Sequence, residues 1–158
     1  MFQASRLLAA ALVTAGALTV PVHAQPPGDD GIVRVRSAYP MDETIARIRA
    51  DIAAKGILFF QAVDQAQLAA KAGIQLRPST LLEFGNPPLG AQFLTANPNA
   101  GLDWPVRLLV SQDESGAVWA TWTDFAWIAR RHGINNRQQQ FATATGVVES
   151  ITSSVKAP

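Results

Sequence analysis

The chain has 158 residues with 13 basic and 12 acidic side chains, two His and no Cys. That length fits one ordinary domain. The absence of Cys excludes a disulfide framework, a thiol nucleophile, a thiolate metal site and covalent haem attachment.

The N-terminus reads as a secretory signal peptide. Arg6 supplies a positive start, Leu7 to Val20 is an apolar run of 14 residues, Pro21 breaks it, and Val22-His23-Ala24 offers small residues for cleavage after Ala24. The run falls short of the ~20 residues that a bilayer span needs. No Cys follows it, which excludes a lipoprotein anchor. The expected address is therefore periplasmic or secreted, with no membrane anchor after cleavage. Removal of residues 1–24 leaves 134 residues, 12 basic against 12 acidic, and His132 as the remaining His. A neutral domain has no electrostatic reason to seek nucleic acid or an anionic membrane. A chain of this size can bury a sufficient core without covalent staples.

Residues 25–31 (QPPGDDG) read as a flexible leader. Ile32 to Ser37 alternates Val33 and Val35 with Arg34 and Arg36, a half-exposed strand. Pro40-Met41-Asp42-Glu43 opens a helix whose Met41, Ile45, Ile48 and Ile52 form one apolar stripe, with Gly56 as its stop. Ile57 to Val63 is a second strand, and Asp64 caps a short helix from Gln65 to Ala72. Ser79 to Phe84 and Val106 to Gln112 are further strands. Ala117 to Thr123 pairs back on the latter through the turn Asp113-Glu114-Ser115-Gly116. Trp119 and Trp122, three apart, face opposite sides of that strand, so one belongs to the core; the other sits on the open face as an anchor, or all four Trp pack in the core. Asp124 caps a helix to His132, stopped by Gly133. From Asn136 a last helix carries Phe141, Ala144, Val148, Ile151 and Val155 on one side, packing on the domain or on a partner. Antiparallel strands with helices on one face make an α+β domain.

One block is distinctive: Leu76-Arg77-Pro78-Ser79, then Phe84-Gly85-Asn86-Pro87, then Asp103-Trp104-Pro105-Val106, closing with Arg131-His132-Gly133. It resembles the bacterial family catalogued as domain of unknown function 302, over roughly Ile32 to Ile134. The resemblance implies a single α+β domain of β-α-β4-α type, a curved antiparallel sheet with two helices behind it. Residues 135–158 then form a C-terminal helical tail. Relatives carry His where this chain has Gln65, beside Asp64. Gln keeps hydrogen bonding there but neither titrates nor binds a metal well.

Several groups carry candidate chemistry. Asn86, held extended by the following Pro, either presents its amide to a ligand from a rigid loop or satisfies its own backbone in a turn. Asp103, between Leu102 and Trp104, needs a partner if buried. Arg77 and Arg107 are the candidates, as a structural ion pair or as part of a polar pocket. His132, following Arg130 and Arg131, complements a helix C-terminus. A lone His makes no catalytic triad, and one His with no Cys makes a tetrahedral metal site implausible.

The reading is a binding module with no cofactor and no metal. Its partner is a small apolar or amphipathic ligand, or a second copy of the chain, held on the open sheet face. Asn86, Asp103, Trp104, Arg107 and Asp64 are the expected binding residues. The alternatives are a small hydrolase or isomerase using Asp103 or Glu83 as acid/base with Asn86 as oxyanion donor, and a structural homodimer.

Overall fold

The computed structural model describes residues 30–156. The signal peptide, its cleavage after Ala24, leader residues 25–29 and Pro158 lie outside the described residues.

Strand β1 (Ile32–Arg36) leads to helix α1 (Met41–Ala54), strand β2 (Leu58–Asp64), helix α2 (Gln65–Lys71) and strand β3 (Ser79–Gly85). Helix α3 (Pro87–Ala96), a 3₁₀ helix over Pro98–Asp103, the hairpin of β4 (Val106–Gln112) and β5 (Val118–Thr123), helix α4 (Phe125–Arg131) and helix α5 (Gln138–Ser153) complete the order. The five strands form one antiparallel sheet in the order β1-β5-β4-β3-β2, so β1 and β2 are its edges. This is the expected α+β arrangement.

Alternation along β1, β3, β4 and β5 sends one set of side chains into the core. Val33, Val35, Leu82, Phe84, Leu108, Val110, Ala120 and Trp122 are all buried. They meet Ile48 and Ile52 of α1, Phe93 of α3, Phe125 and Ile128 of α4, and the buried stripe of α5. That stripe is Phe141, Ala144, Val148 and Ile151, with Val155 beyond the helix, so the last helix packs on its own domain. The opposite sheet face carries the alternate side chains of these strands. Trp119 lies there under the Arg34 guanidinium at 4.6 Å, while Trp122 is buried, the split expected from their spacing.

Two local features depart from the sequence reading. Gly31, read as the end of a flexible leader, is buried against the Trp127 ring with φ 72, and its carbonyl accepts from Asp124 N at 2.7 Å. The larger departure is α3. The Gly85-Asn86-Pro87-Pro88 run, expected as a rigid loop or a turn, starts a helix. Asn86 is the N-cap, extended at φ −110 and ψ 105, with Oδ1 accepting from Leu89 N, and Pro87 and Pro88 fill the first turn. Proline suits those positions because its fixed φ is helical and its missing N–H has no partner to lose. Leu89, Phe93 and Ala96 at i, i+4 and i+7 supply the apolar side.

The β4–β5 turn has its own electrostatic device. The Asp113 carboxylate accepts from Ser115 Oγ at 2.7 Å, Trp119 Nε1 at 2.8 Å, Ala117 N at 3.0 Å and Ser115 N at 2.9 Å. The Ser115 hydroxyl first, and then the Trp119 indole, hold its pKa down at about 2. A carboxyl depressed in the fold contributes stability above its unfolded pKa and loses it as pH falls through the folded value. The Tm advantage of the native protein over Asp113→Asn is therefore expected to shrink between about pH 4 and pH 2. Paired melting curves across that range, with no change in the difference, would contradict this.

Candidate ligand-binding site

At the end of the sheet where β3 finishes and β4 begins, the helices do not close completely over the core. A cavity of about 450 Å³ opens there between α3, α5 and the end of α1. Its apolar wall includes Phe84, Leu89, Phe93, Val106, Phe125 and Val148. Asn86 and Trp104 line one side; Lys55, Thr143 and Ser150 bring polar groups to it. The cavity lies on the helix-covered side of the sheet, whereas the sequence reading placed the ligand on the open face.

Trp104 is the anchor of this region. Its indole stands 3.3 Å from where a Cβ at Gly85 would be, and a Cβ at Gly90 would come within 2.0 Å of its Nε1. Phe60 meets the same ring edge-on, centroids 6.0 Å apart and planes at 73°. Two glycines thus let a large ring lie flat against strand and helix backbone. The Trp104–Pro105 peptide is cis.

Gly146 faces the cavity from α5, and a Cβ added there meets nothing within 4 Å. Glycine inside a helix costs about 1 kcal/mol relative to Ala. No packing contact demands it here, and the missing side chain leaves the cavity wider at that wall.

A second cluster sits beside the cavity, and sequence reasoning assembled only part of it. Asp103 ends the 3₁₀ helix with its side chain 4% exposed, and its Oδ2 lies 2.6 Å from Nε2 of His132, 5% exposed. An ionised carboxylate only accepts, which assigns the hydrogen to Nε2. Oδ1 accepts from Arg107 at 3.3 Å and from Arg131 at 3.2 Å, and Arg107 also donates to the Leu102 carbonyl at 2.8 Å. Asn97 Nδ2 donates to the His132 carbonyl at 2.8 Å, satisfying one of the open carbonyls at the end of α4. The cluster ties the C-terminus of α4 to the α3–β4 connection. The hollow bordering Asp103 and Arg107 is about 10 Å³, roughly room for one water.

The expected site residues therefore separate. Asn86 and Trp104 line the cavity. Asp103 and Arg107 pair as expected, but behind it, in contact with His132 and Arg131. Arg77 is not part of that cluster; it pairs with exposed Glu114 at 2.6 Å. Asp64 caps α2 by accepting from Gln67 N at 2.8 Å. It sits at the far end of the ladder that pairs Leu58 with Gly85 and Asp64 with Thr80, about 20 Å away at strand rise. Gln65, next to it, accepts from Ser79 Oγ at 2.7 Å. Glu83 accepts from Gln61 Nε2 at 2.7 Å and lines neither the apolar cavity nor the small hollow. Asn86, Asp103 and Glu83 thus share no common cavity. Among the described residues no three His, Asp or Glu side chains gather as a metal site.

The family model of Domain of unknown function DUF302 matches residues 33–152. The chain belongs to the DUF302 family. The match takes in α5, past the Ile134 limit drawn from the motifs alone. The fold also agrees with a DUF302 crystal structure, that of an uncharacterized conserved protein from Bacillus stearothermophilus. Its TM-score is 0.73 at 18% identity, covering 80% of this chain and 98% of that one. Two curated proteins named Fluoride-specific ion channel FluC 1, from Brucella suis biovar 1 and Brucella abortus biovar 1, are each 38% identical over 124 residues. Those 124 residues are 76% of this DUF302 chain but 49% and 46% of the two relatives, so the chain spans about half their length. Among the described residues no helix is long and apolar enough to cross a membrane.

Proposed function

We propose that this DUF302 protein is a periplasmic binding module that takes a small apolar or amphipathic ligand into the cavity between α3 and α5. The observation that carries the reading is the cavity itself. About 450 Å³ with apolar walls and few polar groups falls in the ~300–1,000 Å³ range of small-molecule sites. Trp104 supplies a rigid aromatic wall and Asn86 a side-chain amide already oriented by its capping bond. The cleavable leader read at Arg6 to Ala24 supports the periplasmic address, and a mature N-terminus at Gln25 in the periplasmic fraction would test it.

Gly146→Leu tests the site. The new side chain has open space to enter, so it should weaken binding of any cavity ligand at least tenfold. Tm should hold or rise, because the helix loses a glycine penalty of about 1 kcal/mol. Native mass spectrometry of protein from its own periplasm, followed by titration of the released compound, provides the measurement. Undiminished affinity in Gly146→Leu would place the ligand elsewhere.

Self-association is the second reading, favoured by one observation. Leu58, Phe60, Leu68, Ile74 and Leu76 are all exposed, and all belong to edge strand β2, α2 or the α2–β3 connection. Unpaired edge strands with apolar residues are templates for pairing. Sedimentation should then show a dimer that Phe60→Glu with Leu68→Glu dissolves; a native monomer at all concentrations would end this reading.

A further inference from the structure

We infer that the ligand is an anionic amphiphile, its apolar body in the cavity and its negative head at Lys55; this rests on the cavity being the binding site. The cavity wall is one-sided in its chemistry. Lys55 is the charged residue among those lining it, and no carboxylate lines it. The remaining polar groups, Asn86, Thr143, Ser150 and the Trp104 indole, are neutral. A cationic head would meet like charge at Lys55, and a neutral one would gain no ion pair with its ammonium.

Lys55 is held where a head group would need it. It caps the C-terminus of α1, and Gly56 at φ 65 turns the chain straight into Ile57, which also lines the cavity. Its Nζ donates to Asp51 Oδ2 at 2.6 Å, with both side chains partly exposed at 31% and 24%. That pair is an i,i+4 surface contact, a weak one that a competing carboxylate can share. An ammonium has three donors, and one is used here. Asp51 also works against the site: it reduces the local positive charge, so its removal should sharpen the preference for anions.

Calorimetric titration of the full chain with octanoate, 1-octanol and octylammonium separates the possibilities. The three share one tail and differ in head charge. The expected result is octanoate at least tenfold tighter than octanol, with octylammonium weakest. Lys55→Gln should bring the octanoate-to-octanol ratio close to one, and Asp51→Asn should raise it. Equal affinities for octanoate and octanol in the native chain, both lost in Gly146→Leu, would overturn the anionic head while keeping the cavity as the site. Tighter binding of octylammonium would do the same. No binding of any of the three would overturn both readings.

Discussion

Asp103→Ala is expected to destabilise the protein by about 3–5 kcal/mol, the usual cost of removing one partner from a buried ion pair. The carboxylate is 4% exposed and receives three side-chain donors, two of them guanidinium groups. Without it, His132 keeps a buried Nε2–H with no acceptor, and Arg107 and Arg131 repel each other. Asp103→Asn keeps the volume and one acceptor oxygen, so its loss should be smaller, about 1–3 kcal/mol. Denaturant melts of the two variants give the comparison. An alanine variant within 1 kcal/mol of native would show that the cluster does not hold α4 to the α3–β4 connection. Because the cluster lies behind the cavity, Asp103→Asn should also leave ligand affinity within about twofold, a range that corresponds to well under 1 kcal/mol.

Gly90→Ala should destabilise by about 1–2 kcal/mol net, although the same exchange at Gly146 should stabilise by up to ~1 kcal/mol. Both glycines sit inside helices, and both gain propensity on receiving a methyl group. They differ in what that methyl meets: open space at Gly146, the face of the Trp104 indole at Gly90. Overpacking costs about 1–3 kcal/mol and outweighs the propensity gain. The indole has little freedom to yield, since Gly85 and Phe60 confine its other sides. Combining Gly90→Ala with Trp104→Leu should recover at least about 1 kcal/mol relative to simple addition, the coupling expected of residues in contact. A double-mutant cycle with no coupling would mean the ring moves freely.

The strands and most helices were legible because their signals are local. The Val33/Val35 alternation, the Met41–Ile52 stripe, the capping residues Asp64 and Asp124 and the Asp113–Gly116 turn each report on a few neighbouring residues. Helix α3 was missed because two consecutive prolines outweighed the N-cap Asn86 and the spacing of Leu89, Phe93 and Ala96, which together spell a helix start. The Asp103–Arg107 pair was within reach because the two residues are four apart. The His132 and Arg131 contacts join positions 29 and 28 residues away, and no spacing rule links those. The cavity was the least legible feature. It arises where α1, α3 and α5 fail to meet over the sheet end, so it depends on relative placement of elements far apart in sequence. Gly146, a residue of low helix propensity inside α5, lies at its wall.

The position of β1 at a sheet edge has a consequence for the order of assembly. Ile32 pairs with Thr123, so the first strand has its sole sheet partner about 90 residues downstream. Further on, Ala38 N donates to the Val155 carbonyl at 2.9 Å, joining the start of the described chain to its end. The β4–β5 hairpin closes through a tight turn and can form early, whereas β1 must wait for the chain to reach β5. The earliest of the described strands is thus the one whose pairing closes the longest loop, and until it pairs β5 presents an open edge. Conditions that slow the closing step should therefore expose β5, with its Trp119 and Trp122, to other chains.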